Sequence, residues 1–151
     1  VKKILLLLLV SGLLVVSGCS STNDTELTAE EIVEQLKESG LPIENEIIYT
    51  EETDPNDLLG RPNQYSSKVN FADDRIEQYD EETDPVGGTV EVFESNKDAK
   101  ERHDYIESVS EGVAFLQEYM YLNGKVLLRV SYDLTPEQAE EYNTKLTEII
   151  D

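Results

Sequence analysis

Two stretches of the chain repeat one acidic word, Tyr49-Thr50-Glu51-Glu52-Thr53-Asp54-Pro55 and Tyr79-Asp80-Glu81-Glu82-Thr83-Asp84-Pro85. Carboxylates are hard oxygen donors, and calcium takes about six to eight such oxygens at roughly 2.3–2.6 Å. If the two loops meet at one end of a sheet, Glu51, Glu52, Asp54, Asp80, Glu81, Glu82 and Asp84 form a candidate calcium site. The spacing is not that of an EF-hand loop, because Leu58 and Gly60 fall at the wrong offsets from Asp54. The same words also read as two solvated turns, each built on an Asp-Pro pair.

A second loop, Gly60-Arg61-Pro62-Asn63-Gln64-Tyr65, carries a guanidinium fork, two amides and a phenol. Arg61 is a candidate for gripping a carboxylate or phosphate of a ligand, with Asn63, Gln64 and Tyr65 beside it. Its competing role is to tie the loop to the protein's own carboxylates. The lone His103 stands next to Asp104, but adjacent helical residues do not face each other, so they form no catalytic pair. No Gly-x-Ser-x-Gly, His-Glu-x-x-His or phosphate-cradling glycine loop occurs. A cell-envelope hydrolase working through an Asp/Glu pair is a remote alternative that 33 acidic residues leave open without locating it.

The charge balance narrows the partners. The chain holds 33 acidic and 12 basic residues, a net charge of −21. Lys2 and Lys3 are the basic residues of the first 18 positions, which hold no acidic one, so the remainder sets 10 basic against 33 acidic side chains, a charge of −23. A field of that sign repels nucleic acid and anionic headgroups and favours cations or cationic partners. The single cysteine, Cys19, excludes an intramolecular disulfide, a CxxC redox pair and a thiolate cluster.

The elements that must position these residues are well punctuated. Thr28-Ala29-Glu30-Glu31 is a capping box opening a helix with Ala29, Ile32, Val33 and Leu36 on one face, stopped by Gly40 and Pro42. Ile47 to Tyr49 reads as a short strand. Val69 and Phe71 alternate with Lys68 and Asn70 in a half-buried strand that Asp73, Asp74 and Arg75 end in a charged patch. Gly87-Gly88 releases the chain into a strand over Thr89 to Phe93, and Ser95 caps a helix with Ala99, Ile106 and Val109 inward.

Asn123-Gly124 signals a tight hairpin, with Leu122 expected opposite Lys125, Tyr121 opposite Val126 and Glu118 opposite Arg129. Tyr119 and Tyr121 are expected on its core face. Thr135-Pro136-Glu137-Gln138 opens a last helix with Ala139, Tyr142, Leu146 and Ile149 or Ile150 inward. The expected fold is α+β: a mainly antiparallel sheet with helices packed on one face, a two-layer sandwich.

The beginning of the chain sets the compartment. Lys2 and Lys3 precede an apolar run, Ile4 to Val10 and Leu13 to Val16, too short for a spanning helix of about 20 residues and interrupted by Ser11 and Gly12. Leu14-Val15-Val16-Ser17-Gly18-Cys19 resembles the lipobox of bacterial lipoproteins. The resemblance implies diacylglyceryl transfer to Cys19, cleavage before it and anchorage of the mature chain on the outer side of a cell membrane. Ser20 in place of Asp permits destinations other than inner-membrane retention, and Val1 reads as a GUG start suggesting a Gram-positive host. The expected division is a signal peptide over 1–18, a lipidated Cys and tether over 19–26, and one domain over 27–151.

Leu58-Leu59-Gly60-Arg61-Pro62-Asn63-Gln64-Tyr65, Lys68-Val69-Asn70-Phe71-Ala72-Asp73, Gly87-Gly88-Thr89-Val90-Glu91-Val92-Phe93 and Val126-Leu127-Leu128-Arg129-Val130-Ser131 resemble segments of a family of small uncharacterised bacterial secreted or lipid-anchored proteins. That resemblance implies secretion and a single domain, with no activity attached. The expected function is a non-enzymatic interaction or accessory module at the cell surface, joined to the membrane through acyl chains on Cys19 and to an envelope protein or a cation. The calcium-binding module is its alternative, with no other cofactor and no nucleic acid.

Overall fold

The computed structural model describes residues 25–78 and 84–151. Its elements run α1 (Ala29–Glu38), β1 (Ile43–Ile48), β2 (Ser67–Asp73), β3 (Gly87–Val92), α2 (Asn96–Ser110), a 3₁₀ turn (Ala114–Leu116), β4 (Glu118–Asn123), β5 (Val126–Ser131) and α3 (Pro136–Ile150). The strands form one antiparallel sheet in the order β1-β2-β3-β5-β4. This is the α+β class expected from the sequence.

Helix α1 starts where the capping box puts it, with the Thr28 side chain accepting from the Glu31 amide and Glu31 reaching back to the Thr28 N–H. It buries Ala29, Ile32, Val33 and Leu36. Helix α3 repeats the device with Thr135 and Gln138 and buries Ala139, Tyr142 and Leu146. Both lie on one face of the sheet, over Val69, Phe71, Val90, Val92, Leu128 and Val130. Each large side chain taken out of water there contributes about 1.5–3 kcal/mol. Asp73, expected in a charged patch, is fully buried at the end of β2. It takes the Tyr142 hydroxyl at 2.7 Å and the Arg75 guanidinium at 2.8 and 2.9 Å, which pins α3 to the sheet.

Three expectations need correction. Helix α2 does not join α1 and α3; its Ala99 and Ile106 pack with Tyr65, Phe93 and Leu127 on the opposite face. Val109, expected inward, is exposed there, and Ser110 is buried in its place. The first strand begins at Ile43 rather than Ile47, because a bulge between Glu44 and Ile47, with Asn45 at φ +50°, hides its alternation from a two-residue period. The hairpin turns on Gly124-Lys125 rather than Asn123-Gly124, so Asn123 faces Val126, Tyr121 faces Leu128 and Met120 faces Arg129. Asn123 stays out of the left-handed region and Gly124 alone takes φ +58°, which suits the turn type with Gly in its first central position. The slip is two residues, so the faces are kept and Tyr119 and Tyr121 pack against the core as expected.

Gly87 and Gly88 lie inside β3 for a steric reason. A Cβ on Gly87 would sit 2.3 Å from the Asp73 backbone nitrogen, and one on Gly88 2.7 Å from the Arg129 carbonyl oxygen. Backbone cannot move aside as a side-chain tip can. Gly87→Ala is therefore expected to cost about 1–3 kcal/mol, the range for forced overpacking, and to lower the thermal midpoint by several degrees in a circular-dichroism melt.

Candidate functional site

The face of the sheet turned away from α1 and α3 carries charged residues beside its apolar contact with α2. Lys68 on β2 stands directly opposite Glu91 on β3, and Thr89 stands opposite Arg129 on β5. Lys68 and Glu91 are buried. What buries them is the long loop after β1 together with α2.

The loop is held by Asp54. Its carboxylate, inaccessible at the side chain, accepts the Lys68 ammonium at 3.0 Å, the Tyr65 hydroxyl at 2.6 Å and the Leu58 and Leu59 amides at 2.9 and 3.1 Å. Burial disfavours the Asp54 charge. The Tyr65 hydroxyl, the Leu58 amide and Lys68 outweigh that and hold its carboxyl well below the usual range. Lys68 also lies 4.5 Å from the centre of the Tyr49 ring and 5.6 Å from that of Tyr65, so its charge faces two aromatic rings as well as one carboxylate. Tyr65 meets Phe93 edge-on at 6.0 Å.

A second ionic knot sits beside the first. Glu91 takes Arg102 of α2 at 3.2 and 3.3 Å and lies 3.5 Å from Arg129, which donates to Glu118 of β4 at 2.7 Å. Burial works against the Arg129 charge, but Glu91 and Glu118 raise its pKa. Arg129 Nε is buried without a hydrogen-bond partner.

Over this floor run two depressions. A groove of about 780 Å³ lies between the loop and α2, lined by Leu58, Pro62, Asn63, Gln64, Tyr105 and Val109 among others. A cleft of about 460 Å³ lies above Lys68, Asn70, Thr89 and Arg129, with Asp84 and Phe115 at its edge.

The predicted residues fare differently. One residue of each acidic word meets the other, since the Tyr49 hydroxyl donates to Asp84 at 3.1 Å, with the Tyr49 pKa pushed up to about 12 by burial first and then by Asp84. Glu51 lies against Gly60, and Glu52 accepts from the Thr50 hydroxyl at 2.9 Å. Asp54 is corrected as a cation ligand, because its oxygens already serve Lys68, Tyr65 and two amides. Asp80, Glu81 and Glu82 lie outside the described residues, as does Cys19. Arg61 pairs with Asp57, the internal role weighed from the sequence. Asn63 and Gln64 line the groove, whereas Tyr65 is wholly buried beneath it and is a structural phenol rather than a ligand contact. His103 approaches Asp104 at 3.3 Å and, with Glu107, makes a small polar cluster on α2; Lys100 already pairs with Asp104.

Sequence reasoning missed Lys68, Glu91 and Arg102, and had Arg129 only as the partner of Glu118, a pair that forms at 2.7 Å despite the shifted register. The trace this face left in the sequence is one charge on the outward side of each of three neighbouring strands, Lys68, Glu91 and Arg129. No protein-family model, no curated protein and no solved structure matches the chain. The resemblance to small lipid-anchored proteins expected from the sequence gains no support from these comparisons.

Asp54→Asn leaves Lys68 buried without its counter-charge and is expected to cost about 3–5 kcal/mol, whereas Asp54→Asn with Lys68→Met should recover much of that in denaturant titration. The folded-state pKa values of Asp54 and Asp73 are both depressed. The stability they contribute is thus present above the unfolded carboxylate value of about 4 and is lost as pH falls through the folded values. Melting midpoints should drop steeply below about pH 4 in the wild type, with a shallower slope in the double variant.

Proposed function

We propose that the chain is a lipid-anchored extracytoplasmic accessory module that acts by binding rather than by turnover. The observation that carries this reading is the pattern Lys2-Lys3, a short apolar run and Val16-Ser17-Gly18-Cys19 ahead of a strongly acidic domain. Two features of the domain support it. Its ionic groups on the open face are spent on one another, as a scaffold spends them, and the grooves above offer amides and rings. The Ala29 amide donates to Ser67 Oγ at 2.9 Å, so the chain enters the domain at the end of the sheet where β2 begins. With an anchor at Cys19 and the segment Ser20 to Thr25 reaching about 20 Å at most, that end lies toward the membrane in this reading.

Cysteine lipidation is the step to test. In a Gram-positive host fed labelled palmitate, the wild type is expected in the membrane fraction carrying label, and Cys19→Ser is expected soluble and unlabelled. Membrane association unchanged in Cys19→Ser would count against the reading.

The approach of Tyr49 to Asp84 favours a second reading, a calcium module that uses the loop carboxylates other than Asp54. Calorimetric titration decides between them. Saturable calcium heat that Asp84→Asn abolishes moves the cation reading ahead, and the absence of such heat removes it.

A further inference from the structure

We infer that the end of the sheet remote from the entry of the chain is a docking surface for a protein segment that is cationic and interleaved with apolar side chains. The 3₁₀ turn Ala114–Leu116 buries none of its residues. Phe115 is 87% exposed, Leu116 43% and Tyr132 55%. Glu118 opens β4 opposite Ser131, the last residue of β5, so Leu116 and Tyr132 flank the same strand ends. Those ends lie with Gly88, away from Ser67 and the start of α1. Tyr132 does not float there, because it stacks on Tyr119 with ring centres 4.5 Å apart, and a ring already held loses little freedom when a partner covers it.

Exposed rings and aliphatic groups gathered at one place mark an interaction surface more than they mark solubility. Their surroundings say what kind of partner fits. Beside them a groove of about 520 Å³ runs between α2 and β4, walled by Asp104, Glu107, Glu111 and Glu118, with Met120 and Tyr132 also lining it and no lysine or arginine. Asp104 is engaged by Lys100 and Glu118 by Arg129. Glu107 and Glu111 have no ion pair among the described residues. An anionic partner, whether nucleic acid or a charged headgroup, is repelled from such a wall. Lysine or arginine side chains are drawn to it, while apolar neighbours in the same segment cover Phe115 and Leu116.

The inference rests on the anchored-module reading only for the direction in which this surface faces. Binding is measured separately from anchorage. The full chain is placed in nanodiscs of zwitterionic phosphatidylcholine and titrated, at physiological salt, into a fluorescent peptide alternating lysine and leucine; empty discs, a lysine–serine peptide and a glutamate–leucine peptide serve as comparisons. The lysine–leucine peptide is expected to bind the protein and the other two to bind at least about tenfold more weakly, a difference of about 1.4 kcal/mol. Phe115→Ser and Glu111→Lys are each expected to weaken it by about tenfold or more, at unchanged melting midpoints. Glu34→Lys, the same charge reversal on exposed α1, should leave it within about twofold, because charges farther off than a Debye length are screened. No binding, equal binding of the lysine–serine peptide, an unchanged affinity in either surface variant, or an equal loss in Glu34→Lys overturns the proposal. Fractionation of Cys19→Ser reads anchorage alone, so failure of that reading is seen independently.

Discussion

The Asp54 carboxylate is the point on which the outer face of the sheet depends. Taking a carboxylate and an ammonium out of water costs several kcal/mol for each, and their attraction offsets this only when every remaining lone pair and proton is met. At Asp54 the conditions are fulfilled: an ammonium, a phenol and two backbone amides converge on two oxygens. Such a knot adds little net stability over an apolar filling. What it does is select one position for the loop, because any other leaves Lys68, Tyr65 and the carboxylate buried and unpaired at once.

From that position the rest of the face follows. Tyr65 is seated against Phe93, and Arg102 of α2 lies over the Tyr65 ring at 5.8 Å while it reaches Glu91. Loop, sheet and helix are thus joined through one phenol and two ionic knots. The inner face, where α1 and α3 pack, is held by ordinary apolar burial and by the Asp73 link to Tyr142. One sheet therefore has two cores of different chemistry. The apolar one supplies most of the folding free energy, and the ionic one fixes the shape of the surface that faces outward.

What the sequence made legible divides along the same line. Periodicity and caps placed α1 and α3 correctly, because Thr28 and Thr135 announce their helices locally and the apolar stripes follow a 3.6-residue period. The core face of the hairpin was legible even though its turn was not, since Asn123 before Gly124 is the stronger textual signal and the backbone placed the turn one residue later. The ionic face was not legible. Alternation assigns Lys68, Glu91 and Arg129 outward, and outward they are; that a distant loop and α2 cover them is a tertiary fact that no local pattern carries. Asp54 was misread for a related reason. Repeated acidic words suggest shared duty, but one of the repeats has a buried lysine to answer and lies over a sheet, and that difference is not written within the word.

The distribution of positive charge explains why so acidic a domain has a directional surface rather than a uniform one. Lysines and arginines are mostly spent close to home: Lys37 on Glu46, Arg75 on Asp73 and Glu141, Lys97 on Glu101, Lys145 on Glu148. Apart from the Arg75 contact with buried Asp73, these exposed pairs contribute about 0–1 kcal/mol each, so they do little for stability. Their effect is to neutralise the patches where they sit and to leave the excess of carboxylates elsewhere. Around the end of α2 that excess is unrelieved among the described residues, for Glu107 and Glu111 have no ion pair there and the exposed ring of Phe115 follows a few residues on. Long-range attraction raises the frequency of encounter with a cationic segment but gives little lasting contact in salt, whereas apolar cover gives contact without long-range guidance. The far end of this sheet holds both within one surface, and it is the combination, not the acidity alone, that gives the domain a place to bind.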